Sequence, residues 1–373
     1  MRDKVLKGLI SKILLLSLFA LASQEVQAND HEVSLGAETT LAWYGQLHFA
    51  NQRFDDGAVT TSTLVDVSSA NSRFGFYLRG QSPVSFQFET GLGFRPSTKT
   101  SQTNTPEFWN WSKKDLRQVQ FIYKSGVGTI RFGQGSMSND GEAELDLAGT
   151  AIVAKSNLKE LYGSYMLRDS TGKLTAVDIG SAFDNFDNGR RFRVRYDSNT
   201  ISGFSVAAAY GIEVLTSGVD DRFYDFSLNY ANRFNRLEIE ATLGTAYTDL
   251  AAGGTLRETV GSVSMFDHQT GLNATFAMGQ DHSGAGQYLW SKLGWNADLM
   301  AAGTTKLALE GFWGSDYVSA NSQSRMWGVS LIQNFDQHRI EAYAGYKRFS
   351  YDDTGPTAYM DADAWQIGAR WRF

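Results

Sequence analysis

The residues best equipped to do chemistry in this chain are arginines set on alternate positions. Arg191, Arg193 and Arg195 interleave with Phe192, Val194 and Tyr196; Arg73 and Arg79 bracket Phe74, Phe76 and Leu78; Arg131 stands between Ile130 and Phe132. Strand side chains alternate faces, so these arginines are expected opposite the large apolar residues. Between 136 and 189 the alternation stops, and that segment opens with Asp140, Glu142, Glu144 and Asp146. Guanidinium groups facing carboxylates across water make a transverse field that discriminates by charge and polarity. Covalent catalysis is not indicated. A hydrolase needs a nucleophile with a base held beside it, and of the five histidines only His48 falls on an inward strand face. His268 and His338 fall in expected turns, His282 in an expected loop and His31 near the start of the mature chain. No phosphate loop, EF-hand or His/Asp metal cluster is present, so no cofactor or metal is expected, and the spacing of the loop acids is not diagnostic for Ca²⁺.

Holding arginines on one face requires a wall with water on that side and lipid on the other. Alternating runs recur at 41–53, 72–81, 84–94, 116–124, 128–135, 190–197, 204–211, 222–232, 236–247, 257–266, 271–279, 287–296, 305–314, 325–334, 339–350 and 363–373. These predict an all-β transmembrane antiparallel up-and-down barrel of about sixteen strands. An arginine on the lipid face at mid-membrane would cost roughly 2–4 kcal/mol, which directs the arginines inward. The last run, Asp363 to Phe373, puts Trp365, Ile367, Ala369, Trp371 and Phe373 on one face. In a soluble sheet such an edge invites aggregation, whereas in a barrel it pairs with the first strand. Pro83, Pro96, Pro106 and Pro356 all fall between runs, as ladder hydrogen bonding demands. The mean hydropathy of −0.30 is low because only half of each strand must be apolar.

Connections alternate between short turns and longer polar segments, such as 55–71, 95–115, 212–221, 248–256 and 351–362, so one rim carries turns and the other loops. The segment 136–189 is out of scale, with a short helix expected at 156–162. Its residues alone leave two arrangements open, folding inward across the lumen or standing on the outer surface. Lumen-lining positions include Tyr44, Gln46, His48 and Tyr77, with Glu238, Glu240, Glu341 and Lys347 also inward by parity. Most aromatics fall on the lipid-facing parity, and large inward residues look scarce, which argues against a plugged lumen or a long aromatic track.

The amino terminus carries an export signal. Arg2, Lys4, Lys7 and Lys12 precede an apolar run from Ile13 to Ala22 and then Val26-Gln27-Ala28, so residues 1–28 are expected to be removed and 29–373 to form the barrel. That removal takes four basic and two acidic residues and moves the net charge from −6 to −8, the wrong sign for a nucleic-acid partner. With no cysteine, disulfides and CxxC sites are excluded.

Several short motifs, in order, resemble the general diffusion porins of Gram-negative outer membranes. They are Tyr44-Gly45-Gln46-Leu47, Ser72-Arg73-Phe74-Gly75-Phe76, Arg117-Gln118, Gly128-Thr129-Ile130-Arg131-Phe132-Gly133, Arg195-Tyr196-Asp197-Ser198, the run Gly203 to Gly211 and the terminal Phe373. The resemblance implies a homotrimer in outer-membrane lipid and lipopolysaccharide, a third loop bent inside as an eyelet, and passive passage of ions and small hydrophilic solutes. It implies that Arg73, Arg117 and Arg193 belong to the basic wall, that Asp140 through Asp146 belong to the acidic loop, and that the barrel assembly machinery recognises Phe373. Two features depart from it. The enterobacterial Pro-Glu-Phe-Gly-Gly loop tip is absent, and Arg117 shares its parity with Val119, Phe121 and Tyr123. Either a bulge resets the phase or Arg117 lies at the rim. With Arg73, Arg79, Arg131, Arg191, Arg193 and Arg195 set against the four loop acids, neither sign dominates and a weak ion preference is expected. The alternatives are a substrate-selective channel, for a sugar or small anion, and an outer-membrane hydrolase.

Overall fold

Period-two alternation builds the wall. A computed structural model describes residues 31–36, 38–284 and 286–373; the export-signal reading lies outside the described residues. The chain forms β1 (Glu32–Ser34), β2 (Thr40–Asp55), β3 (Thr60–Asp66), β4 (Arg73–Arg79), β5 (Val84–Gly91), β6 (Leu116–Ser125) and β7 (Gly128–Ser136). The long loop 137–189 follows, carrying helix α1 (Leu158–Tyr162), a small hairpin of β8 (Met166–Arg168) and β9 (Leu174–Asp178), and helix α2 (Ile179–Ala182). The wall resumes with β10 (Arg190–Ser198), β11 (Phe204–Ile212), β12 (Arg222–Phe234), β13 (Leu237–Asp249), β14 (Thr255–Asp267) and β15 (Leu272–Asp281). It ends with β16 (Gln287–Met300), β17 (Gly303–Ser315), β18 (Gln323–Phe335), β19 (Ile340–Asp352) and β20 (Ala362–Arg372).

Each wall strand pairs antiparallel with its sequence neighbour, and β20 pairs with β2 from Gln46↔Arg372 to Asp55↔Asp363, closing the barrel. Beyond β20, Phe373 continues the seam, its N–H and C=O bonded to Gly45 at 3.0 and 2.9 Å. A Cβ at Gly45 would collide with the Phe373 ring, so the glycine is where the terminal aromatic lies flat on the wall. β3 and β4 both pair with β2, one along its upper half and one along its lower, so they are two pieces of a single wall strand broken at 67–72. Counted this way, and with β1 only a short extension beside β2, the closed barrel has sixteen strands.

The break corrects the expectation of a polar loop over 55–71: residues 60–66 are strand, turned back by a short connection in which Asp56 accepts the N–H groups of Ala58 and Val59. Inward side chains seal the break. The Gln46 carboxamide donates to the carbonyls of Ala70 and Asn71, and the His48 ring bridges the Ala70 carbonyl at 3.0 Å and the Tyr343 hydroxyl at 2.7 Å. Both residues therefore brace the wall.

Candidate functional site

Side chains on one parity of each strand enter the lumen. Ile130, Phe132, Val194 and Tyr196 are exposed on the outside, while Arg131, Arg191, Arg193 and Arg195 lie on the opposite face. They are not free charges. Arg193 is 2% exposed and donates to the carbonyls of Ser136 and Gly133 and, at 2.6 Å, to Gln120. Gln120 donates to Gln87, whose carboxamide donates to the hydroxyls of Tyr44 and Tyr77 at 2.9 and 2.6 Å. This chain of donors consumes Arg193, Tyr44 and Tyr77 within the wall, so their lumenal parity does not make them contacts for solutes. Arg131 and Arg195 share Asp197, at 3.3 and 2.7 Å. Arg191 lies 4.0 Å over the Phe223 ring and 3.9 Å from Glu213. Arg79 is exposed and sits 4.5 Å over the Tyr77 ring. At about 3.3 Å per residue it is roughly 20 Å along β4 from Arg73, which removes it from any shared constriction.

Arg117 enters the lumen through a bulge. The β5–β6 register runs Glu89↔Gln118 and then Thr90↔Leu116, skipping Arg117 and resetting its phase. Its Nε is 2.6 Å from Glu89, and its Nη1 donates to Asn71 at 3.0 Å. Arg73 is 3.8 Å from the same carboxylate. Arg190, the first residue of β10, interacts electrostatically with Glu89, Arg73 and Arg117. The basic cluster is therefore Arg73, Arg117 and Arg190 around Glu89. Glu89 and Arg190 were missed in the sequence, although Glu89 alternates with Phe86 and Phe88 and its parity was readable.

The long loop runs along the inner faces of the wall. Asp225 on β12 accepts the Ser138 and Asn139 N–H groups at 3.1 and 3.0 Å. Ser264 on β14 accepts Leu147 N–H at 3.1 Å, Asn296 on β16 donates to Ala148 at 3.0 Å, and Lys306 on β17 donates to Gly149 at 3.1 Å. Two of the four predicted acids serve this attachment, which corrects their assignment to a field across the lumen. Glu142 is 8% exposed and bonded to Thr242 of β13, and burial raises its carboxyl above the usual range, reducing its charge. Asp146 receives the N–H groups of Ala148, Thr150 and Ala151 and pairs at 2.6 Å with Lys292, a fully buried lysine of β16. Burial opposes the charge on Asp146, but Lys292 and the backbone donors prevail and hold its carboxyl below the usual range.

The other two acids are brought toward the basic cluster. Asp140 is 3.9 Å from Arg190. Glu144 pairs at 2.7 Å with Lys155, which also holds Glu160 at 2.6 Å. Asp187, absent from the predicted set, accepts Gly141 N–H at 2.8 Å, and burial, with Glu144 and Asp140 adding to it, raises its carboxyl well above the usual range. Asp140 and Asp187 thus lie where the loop leaves and re-enters the wall, Asp140 beside Arg190, while Glu144 is held by Lys155.

The apolar half of the loop overturns the expectation of few large inward residues. Tyr162, Tyr165, Phe183 and Phe186 pack against Phe54, Tyr288, Phe312 and Phe349, all inward wall residues and all 6% exposed or less. Tyr165 stacks on Phe54 at 4.4 Å between ring centres, and Phe183 meets Phe349 at 5.2 Å. One sector of the lumen, below β2 and β16 to β19, is therefore filled by loop, and the charged groups border the rest.

Solved structures with the same fold are outer-membrane channels. The anion-selective porin of Comamonas acidovorans is 13% identical with a TM-score of 0.61, over 90% of this chain and 100% of that one. OprB of Pseudomonas putida gives 11% and 0.58, over 90% and 94%. The channel DcaP of Acinetobacter baumannii gives 11% and 0.55, over 92% and 100%. No curated protein matches the chain at a significant level. The model of the Gram-negative porin family matches residues 13–354, and with a closed sixteen-stranded wall enclosing a charged lumen, the chain belongs to that family of outer-membrane channels.

Proposed function

We propose that the chain is a water-filled pore for passive diffusion of ions and small hydrophilic solutes, narrowed between Arg73, Arg117 and Arg190 on the wall and Asp140, Glu144 and Asp187 on the loop. The observation that carries this reading is the attachment of residues 138–149 to β12 through β17, which confines the passage to the side of the lumen bearing the three arginines. Glu142 and Asp146 are withdrawn into wall contacts, and Arg131, Arg193 and Arg195 are likewise engaged within the wall, so the three arginines left at the constriction are matched by Glu89 and the loop acids and neither sign dominates. A weak ion preference follows; the Comamonas neighbour is described as anion-selective. At about 0.15 M salt the Debye length is roughly 8 Å, so the preference should fade in molar salt. Reversal potentials across a planar bilayer in a salt gradient test this; a strong preference of either sign at low salt would refute it. We further propose a homotrimer, as one Vibrio cholerae OmpT neighbour is described in a trimer form. Mass measurement after gentle detergent extraction should give three chains, and a monomer would refute it.

A further inference from the structure

Three cations converge on one carboxylate at the turn-bearing end of the lumen. Glu341, the second residue of β19, receives Arg370 Nη2 at 2.5 Å, Arg372 Nη2 at 3.0 Å and, at 3.9 Å, Lys306 Nζ. One negative charge against three leaves an excess of two. Arg370 and Lys306 have side chains about 10% exposed, whereas the Arg372 side chain is 43% exposed. The Glu341 ion pair uses one of the five N–H groups of the Arg372 guanidinium, which leaves a planar donor edge toward water. Such an edge matches two oxygens of an oxyanion.

The site is built into its surroundings. Lys306 also donates to Gly149, so the tip of the long loop descends to this level. Beside Lys306 opens a cavity of about 600 Å³ lined also by Gly149, Asn296, His268 and one carboxylate, Asp298, which accepts the Thr304 hydroxyl at 2.8 Å. Short turns mark the periplasmic rim of an outer-membrane barrel, and Arg372 ends β20 at that rim.

We propose that Arg370, Arg372 and Lys306 form a second anion station at the periplasmic mouth, taking small multivalent oxyanions of the inorganic phosphate type. This rests on the reading of the lumen as an open channel. Excess charge of two favours a dianion over chloride, because Coulomb energy scales with ligand charge. At roughly 6 Å through water, one arginine changes dianion occupancy about tenfold and monoanion occupancy about threefold.

The experiment measures chloride current through single channels while inorganic phosphate is added at pH 8, where the dianion predominates. Phosphate should depress the current in the native channel. Arg372→Gln should weaken that block about tenfold, and Lys306→Gln should weaken it in the same direction. Lys306→Gln provides the reading if Arg372→Gln, next to the terminal residue, fails to assemble. A native channel that conducts chloride but is not blocked by phosphate overturns the station while leaving the pore reading intact. So does a block that survives both substitutions and disappears with Arg73→Gln, because the anion would then be held at the constriction. A protein with no conductance would instead overturn the channel reading.

Discussion

Replacing Lys292 with methionine should release the long loop without dismantling the barrel. The Lys292 ammonium is fully buried and bonded to Asp146 at 2.6 Å and Thr150 at 2.7 Å. Methionine keeps most of the length of the side chain and removes its charge, so a buried carboxylate is left with backbone donors and the Thr150 hydroxyl and no cation. Breaking a buried pair from one side costs about 3–5 kcal/mol. The remaining polar tethers of this segment, from Ser264, Asn296 and Lys306, are worth about 1 kcal/mol each, so they do not offset that loss. Local opening of residues 146–151 should become more frequent by roughly two to four powers of ten. Hydrogen exchange at the amides of Ala148, Thr150 and Ala151, which donate to Asp146, reads this directly, and single-channel current noise should rise with it. Combining Lys292→Met with Asp146→Asn should recover part of the protection, because the amide oxygen still accepts backbone N–H groups and no unpaired charge remains. Because the Asp146 carboxyl is depressed in the folded chain, its contribution is present above the ordinary carboxylate pKa and is lost as pH falls through its lowered value. Acid should therefore loosen the native loop only below the usual carboxylate range. Unchanged exchange and noise in the single mutant would show that Lys292 does not hold the loop.

Asp140→Asn together with Asp187→Asn should move the zero-current potential toward anions, whereas Glu142→Gln should leave it in place; the opposite ranking would return Glu142 to the constriction. Since Asp187 is neutral below its raised pKa, raising the pH through that value adds negative charge and should shift the channel toward cations, a dependence that Asp187→Asn should remove. Phe183→Ala should cost about 3–5 kcal/mol of loop packing, seen as faster protease cleavage between 137 and 189, and native resistance would contradict the aromatic docking. Deleting Phe373 should lower the amount of folded, heat-modifiable protein in the membrane, because the ring over Gly45 and two seam hydrogen bonds are lost; unchanged membrane levels would argue against a role in assembly.

The wall was legible because lipid enforces one parity on every strand. Arg191, Arg193 and Arg195 had one affordable face, and β10 places them there. Parity says nothing about what a side chain meets once inside, and the sequence reading of the site failed at that step. Glu142 and Asp146 look like Asp140 and Glu144 in sequence, and only the path of the loop along β13 and β16 separates anchors from constriction groups. Arg117 shows the same limit in the backbone, since one skipped residue against Glu89 reverses its face. The hidden aromatic sector did leave a trace. Tyr288-Leu289-Trp290 and Phe312-Trp313 carry large apolar groups on both parities, which in a strand signals burial on both faces.

That double-sided apolar pattern explains how one barrel can hold a solvent-filled passage and a rigid loop together. A lumen lined only by polar groups would leave the loop held by hydrogen bonds individually worth about 1 kcal/mol, in competition with water. Concentrating Phe54, Tyr288, Phe312 and Phe349 in one sector gives the loop a core of its own, and a Phe or Tyr removed from water contributes about 1.5–3 kcal/mol. Polar tethers such as Lys292 to Asp146 then fix its register and depth on that core. The charged sector is left free to set selectivity, because the aromatic core carries most of the stability of the loop. This division of labour is why neutralising Asp140 or Arg73 should change selectivity with little effect on loop order, while Phe183→Ala or Lys292→Met should do the reverse.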